Sequence, residues 1–324
     1  MKTHSAVGCL NTLLICTVAI SAMFSLVGSP AWAAPKGSPW GASYFPNIEL
    51  IDQNGQSVHF YDDLIKDKVV AINFIFTHCG DSCPAETASL RQVQKLLGER
   101  MGKDIFFYSI SIDPDHDTPQ VLKEYAQKFK VGPGWRFLTG SKADVLLLRN
   151  KLGLLRDGIE ANKLAEHSTS FLIGSENKGQ WMKRSPFDEP KVLAWMLGRN
   201  LSNFKSYQNA ELASYEGADK LPKLSAGEEL FRSRCDSCHS LGREDGLGPG
   251  LQGITQLRDK AWLARWLKTP DKLLADKDPI AVELYKRYNK ILMPNLKLSD
   301  ADVEALIVYM EASSKGLEQA ALSK

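Results

Sequence analysis

The chain has 324 residues, 44% of them hydrophobic and 24% charged, with a formal net charge of +2. This is enough apolar material for two packed domains and too little for a polytopic membrane protein. A balance of 40 basic against 38 acidic residues leaves no electrostatic footprint for nucleic acid or another polyanion.

The N-terminus has the layout of a secretory signal. Lys2 precedes an apolar stretch at 13–27, and Ala31-Trp32-Ala33 is a small-x-small cleavage pattern. Residues 1–33 are therefore expected to be a signal peptide, with an uncleaved anchor as the alternative. The apolar stretch is short against the ~20 residues of a membrane span. Cys9 and Cys16 fall inside residues 1–33 without a lipobox. An exported, periplasmic protein is expected, with membrane contact only if this segment is retained. Export suits the chemistry of the remaining four cysteines, because lasting disulfide and thiol redox chemistry belongs outside the cytoplasm.

Residues 42–201 alternate strand and helix signals. Residues 58–64 suggest a short strand and turn after Asn54-Gly55. Residues 68–76 form a near-continuous apolar run, as in a strand covered on both faces. Residues 84–98 have helical periodicity through Ala88, Leu90, Val93, Leu96 and Leu97. A second buried strand is expected at 105–112 and a helix at 118–129, with Pro119 in its first turn. Further strands are expected at 135–138 and 169–173, and a closing helix at 191–199. This alternation predicts an α/β sandwich with a mostly parallel sheet.

Residues 202–223 are polar and are expected to link to a second unit at 224–314. Ser225 suits the cap of a helix carrying Leu230 and Phe231. A helix is expected near 261–267, and another at 299–312 with Ser299 as cap and Val303, Leu306, Ile307 and Met310 on one face. No strand signal appears, so the second unit is expected to be small and all-α.

Two cysteine motifs carry the chemistry. Cys235-Asp236-Ser237-Cys238-His239 has the spacing of a covalent haem c site. Cys235 and Cys238 would take the two vinyl groups, and His239 would be the proximal iron ligand. Met293, beside Pro294, is the candidate opposite axial ligand, whereas Met310 is expected in the core. The Pro249 carbonyl is the expected acceptor for the free ring N–H of His239. Half a zinc site is the competing reading, and no second Cys/His pair in the unit completes one. Cys79-Gly80-Asp81-Ser82-Cys83 lies where a strand turns into a helix. A helix N-terminus favours thiolates, so the pair suits a soft metal or a redox dithiol, with a structural disulfide as the plain alternative. A third metal ligand has four candidates: His59, His78, His116 and His167.

The motifs resemble two known families. Residues 224–314 resemble class I cytochromes c through Cys235-x-x-Cys238-His239, Gly248-Pro249-x-Leu251 and Met293-Pro294. Residues 42–200 resemble the SCO/SenC copper-chaperone family, which has a thioredoxin-like fold. The matching stretches are Phe76-Thr77-His78-Cys79-Gly80-Asp81-Ser82-Cys83-Pro84, Asp113-Pro114-Asp115-x-Asp117-Thr118-Pro119 and Glu166-His167-Ser168. That resemblance implies copper held by Cys79, Cys83 and His167, with Asp81 and Asp113 supporting the loop or partner docking. Gly80 and Ser82 depart from the family's usual proline and apolar residue. Together the resemblances imply a redox protein that delivers copper, or reduces cysteines, during assembly of a respiratory copper site. The implied partner is the copper-site subunit of cytochrome c oxidase or another periplasmic copper or thiol protein. Two other readings are a metal-independent thiol–disulfide oxidoreductase, with Cys79 attacking and Cys83 resolving, and a plain electron carrier.

Overall fold

The computed structural model describes residues 40–155, 169–202 and 223–322. The expected signal segment 1–33, residues 203–222 of the expected linker, and the candidate ligand His167 lie outside these described residues. The described residues all fall in one unit by their contacts.

The first part is a seven-stranded sheet in the order β2-β1-β5-β4-β3-β6-β7. Its strands are β1 (Glu49–Asp52), β2 (Ser57–His59), β3 (Val69–Ile75), β4 (Ile105–Ser111), β5 (Trp135–Thr139), β6 (Phe171–Ser175) and β7 (Gln180–Arg184). Among the described residues, four α-helices cover it: α1 (Cys83–Leu97), α2 (Pro119–Lys128), α3 (Lys142–Lys151) and α4 (Pro190–Trp195). Every residue of β3 is buried, which explains its near-continuous apolar run. The polar exception, Asn73, accepts a hydrogen bond from Ser109 Oγ at 2.7 Å, and Ser109 in turn accepts one from Trp135 Nε1 at 2.9 Å. The central three strands are thus joined by side chains as well as by their ladders.

The sheet is mixed, which corrects the expectation of a mostly parallel one. Only the β3–β4 and β4–β5 pairs are parallel, and the β1–β2, β1–β5, β3–β6 and β6–β7 pairs are antiparallel. The physical reason is connectivity: helical crossovers join β3 to β4 and β4 to β5, whereas β1–β2 and β6–β7 are hairpins. Residues 58–64 are also not a strand and turn alone, because β2 stops at His59 and residues 60–65 wind into a wide helical turn burying Phe60, Leu64 and Ile65. The sixth strand starts two residues later than expected. Strands β1 and β7 and helix α3 were not expected at all, and their short or half-exposed sequences carry weak periodicity.

The second part has helices and no strand among its described residues: α5 (Ala226–Leu230), α6 (Ile254–Leu257), α7 (Lys260–Lys268), α8 (Pro270–Ala275), α9 (Pro279–Arg287) and α10 (Asp300–Leu322). The expected caps are present. Ser225 accepts from the Glu228 N–H, and Ser299 and Asp302 form a reciprocal capping box. A separate apolar core gathers Phe231, Trp262, Leu263, Leu306, Ile307 and Met310. No helix among the described residues is long and apolar enough to cross a membrane.

Candidate redox sites

The first cysteine pair stands at the C-terminal end of β3, where the chain turns into α1. Cys83 is the first residue of α1 and Pro84 the second, a position that tolerates proline because its N–H would be unpaired. Both side chains are buried, with Cys79 and Cys83 2% and 0% exposed. A hydrogen bond from the Cys83 thiol holds the Cys79 thiol below its ordinary pKa, while burial pushes Cys83 well above. The pair is therefore asymmetric, with Cys79 the more readily ionised sulfur.

Glu86 lies on the same helix, wholly buried, and accepts a hydrogen bond from Ser82 Oγ at 2.7 Å. Burial pushes its carboxyl up to about 8. It is thus uncharged at neutral pH, which keeps a second negative charge away from the thiols. Nothing in the sequence pattern singled it out, since an acid in the first turn of a helix usually faces water. The two thiols fit a soft ion as donors. Of the four candidate third ligands, His59 is exposed beside Asp63, His78 and His116 lie close together on the loops flanking the cysteine turn, and His167 is outside the described residues.

The second site is an apolar cavity of about 550 Å³ lined by Cys235, Cys238, His239, Trp262, Met293 and Leu306, among others. The predicted orienting bond is present, with His239 Nδ1 and the Pro249 carbonyl oxygen 2.9 Å apart. Burial lowers the His239 pKa, favouring the neutral ring that binds metal. Gly248 is needed for this approach: a Cβ there would lie 2.5 Å from His239 Cε1. Burial raises the Cys238 thiol to about 11 and Cys235 to about 12, so both are uncharged in the apolar cavity. Met293 lines the same cavity from the loop before α10. Met310 is 3% exposed, as expected of a core residue, and also reaches the cavity wall. Two thiols, an oriented imidazole, a thioether and a greasy slot are the set that a tethered haem requires.

Comparison with known proteins agrees in both halves. The SCO1/SenC family model matches residues 40–194, and the cytochrome c family model matches residues 224–314. An SCO2-like protein of Rickettsia felis is 32% identical over 160 residues, which cover 48% of this chain and 75% of that protein. The chain belongs to the SCO1/SenC family. Among solved structures, copper-bound ScoI of Bradyrhizobium japonicum is 25% identical, with 48% of this chain and 97% of that one covered and a TM-score of 0.40. A cytochrome c domain from Pseudomonas putida is 50% identical over 28% of this chain and 91% of its own, with a TM-score of 0.27.

The SCO1/SenC domain and the cytochrome c domain meet along the cysteine loop. The Asn295 N–H donates to the Gly80 carbonyl oxygen at 3.0 Å, joining the residue after Cys79 to the loop that carries Met293. Gly80 itself lines the haem-sized cavity. Asp81 faces Lys297 at 3.5 Å, and Gln92 Nε2 donates to the Asp236 carbonyl at 3.0 Å. Arg234 lies 4.1 Å from the Phe187 ring centroid. Leu247 is 6% exposed and packs into the core of the SCO1/SenC domain. The resemblance implied loop support or partner docking for Asp81, and in the structure its carboxylate faces Lys297 of the cytochrome c domain.

Proposed function

We propose that this chain is an exported redox protein of copper-site assembly, in which a copper-handling SCO1/SenC domain works with a covalently attached haem c. Copper is the cargo. The buried thiols Cys79 and Cys83 hold it, with His167 as the third ligand that the family pattern implies. In the cytochrome c domain Cys235 and Cys238 anchor the haem, His239 and Met293 bind its iron, and the bound group supplies a one-electron couple. The cysteine loop then either passes copper to its target or reduces the target's cysteines so that they accept it. The copper-site subunit of cytochrome c oxidase is the partner that suits this chemistry.

The observation that carries the reading is the hydrogen bond between Asn295 and Gly80. It ties the Met293 loop to the Cys79 turn and favours electron exchange between the two centres over two independent modules on a tether. The test is copper content. Cys79→Ser is expected to abolish stoichiometric Cu(I) binding, and His167→Ala to weaken it at least tenfold; unchanged copper in both variants overturns the assignment. The asymmetric thiols favour a second reading, a metal-independent thiol–disulfide oxidoreductase with Cys79 attacking. Nanomolar Cu(I) affinity supports the first reading, and no Cu(I) binding with a reducing dithiol potential supports the second.

A further inference from the structure

The loop after β4 brings two histidines together that the thiol site does not use. One nitrogen of His78, one of His116 and one carboxylate oxygen of Asp113 lie within 4.8 Å of one another. His78 Nε2 is 3.8 Å from Asp113 Oδ2, too long for a hydrogen bond, and the two imidazole centroids are 4.5 Å apart with their planes tilted by 58°. The rings are therefore not stacked on each other, and the carboxylate faces them without bonding to either. Donors so arranged need only small rotamer changes to surround one ion at ~2.0–2.1 Å.

Buried structure holds this cluster in place. Asp117 is 0% exposed, and His116 Nδ1 lies 3.0 Å from its Oδ1. The same carboxylate accepts from Ser111 Oγ at 2.6 Å, Thr77 Oγ1 at 2.5 Å and the Thr77 N–H at 3.1 Å. A metal-binding histidine characteristically has its second nitrogen on a carboxylate, which sets the ring plane and strengthens the other nitrogen as a donor. The Asp113 carbonyl accepts from the His116 and Asp117 N–H groups, and Ser111 Oγ accepts from the Asp113 N–H at 3.0 Å. Both sides of the cluster are thus pinned to strand ends, with His78 from the end of β3 and Asp113 and His116 from the end of β4.

We infer that His78, Asp113 and His116 form a second metal site, for a borderline divalent cation, on the solvent side of the cysteine turn. Two imidazoles and a carboxylate are harder donors than the two thiolates, and the exposed faces of His78 and His116 leave room for water as further ligands. Among the common divalent ions such a donor set binds Cu(II) most strongly. His78 is joined to Cys79 by a peptide bond, so an ion held here stands beside the thiol pair. The two sites differ in the oxidation state that each prefers.

The test uses the full haem-loaded chain carrying Cys79→Ser, Cys83→Ser and His167→Ala, which removes the thiol site and leaves this one. Titration with Cu(II) alone should saturate at one equivalent, with frozen-solution EPR showing coupling to imidazole nitrogen. Adding His78→Asn or His116→Asn should lower the affinity at least tenfold, with the circular dichroism unchanged because both side chains are half exposed. Absence of a stoichiometric Cu(II) site in the triple variant, or an affinity indifferent to both histidine substitutions, overturns the inference. Neither result touches Cu(I) binding by the thiols, which is read separately in the unmodified chain.

Discussion

At the scale of single residues, the chemistry depends on groups whose charge is set by burial. Glu86 has its folded pKa raised from 4.5 to about 8. An acid raised in this way contributes stability that is fully present below its unfolded pKa and is lost as pH rises through the folded one. Between pH 4.5 and pH 8 the protein should therefore lose stability on the order of a few kcal/mol. Glu86→Gln should flatten that slope and be the more stable chain at pH 8. Urea unfolding across this window measures it, and parallel slopes in the two proteins would show that Glu86 ionises freely in the fold. At the other site the residue that matters is Met293. Met293→Ala should abolish the thioether-to-iron absorption band, and an unchanged spectrum would point to Met310, which also reaches the cavity, or to no sulfur ligand.

At the scale of elements, close packing decides how the haem-side helices are placed. Gly227 in α5 is buried, and a Cβ there would run into the Ala305 carbonyl and the Tyr309 side chain of α10. The first and last helices of the cytochrome c domain therefore cross at a glycine, which lets their backbones approach. Gly227→Ala should separate them and destabilise this domain by roughly 1–3 kcal/mol. Urea unfolding followed at the haem absorption should record this, with amide hydrogen exchange in the strands of the SCO1/SenC domain much less affected. In the sheet, the antiparallel flanks β1–β2 and β6–β7 frame a parallel centre, and the cysteine turn grows from the C-terminal end of that centre.

At the scale of the whole molecule, the two domains share an interface built around the cysteine loop. Its parts are individually modest. An exposed ion pair such as Asp81–Lys297 contributes about 0–1 kcal/mol, and a hydrogen bond such as Gln92 to Asp236 about 0.5–1.5 kcal/mol. Removing both in an Asp81→Ala, Gln92→Ala chain should loosen docking without unfolding either domain. Faster hydrogen exchange at the Asn295 amide, whose acceptor is Gly80, is the expected signature. Equal exchange in both chains would mean that these side chains do not hold the domains together.

The sequence by itself determined the chemistry whose parts are local. Cys235, Cys238 and His239 lie within five residues, and the turn after His239 places the Pro249 acceptor. Cys79 and Cys83 flank one strand-to-helix turn, and the apolar run 68–76 suits a covered central strand. Periodicity could not reveal β1, which has four residues, or β7, which is half exposed, nor the mixed order of the sheet, which depends on which edges pair across the chain. It also could not show that Glu86 faces inward, because a first-turn acid has the same pattern whether buried or exposed. Only the tertiary structure brought Asn295 to Gly80, Lys297 to Asp81, and His116 to His78. These pairs are far apart in the chain, and their contact depends on how two cores pack and on how two strand ends align, which short-range residue patterns do not encode.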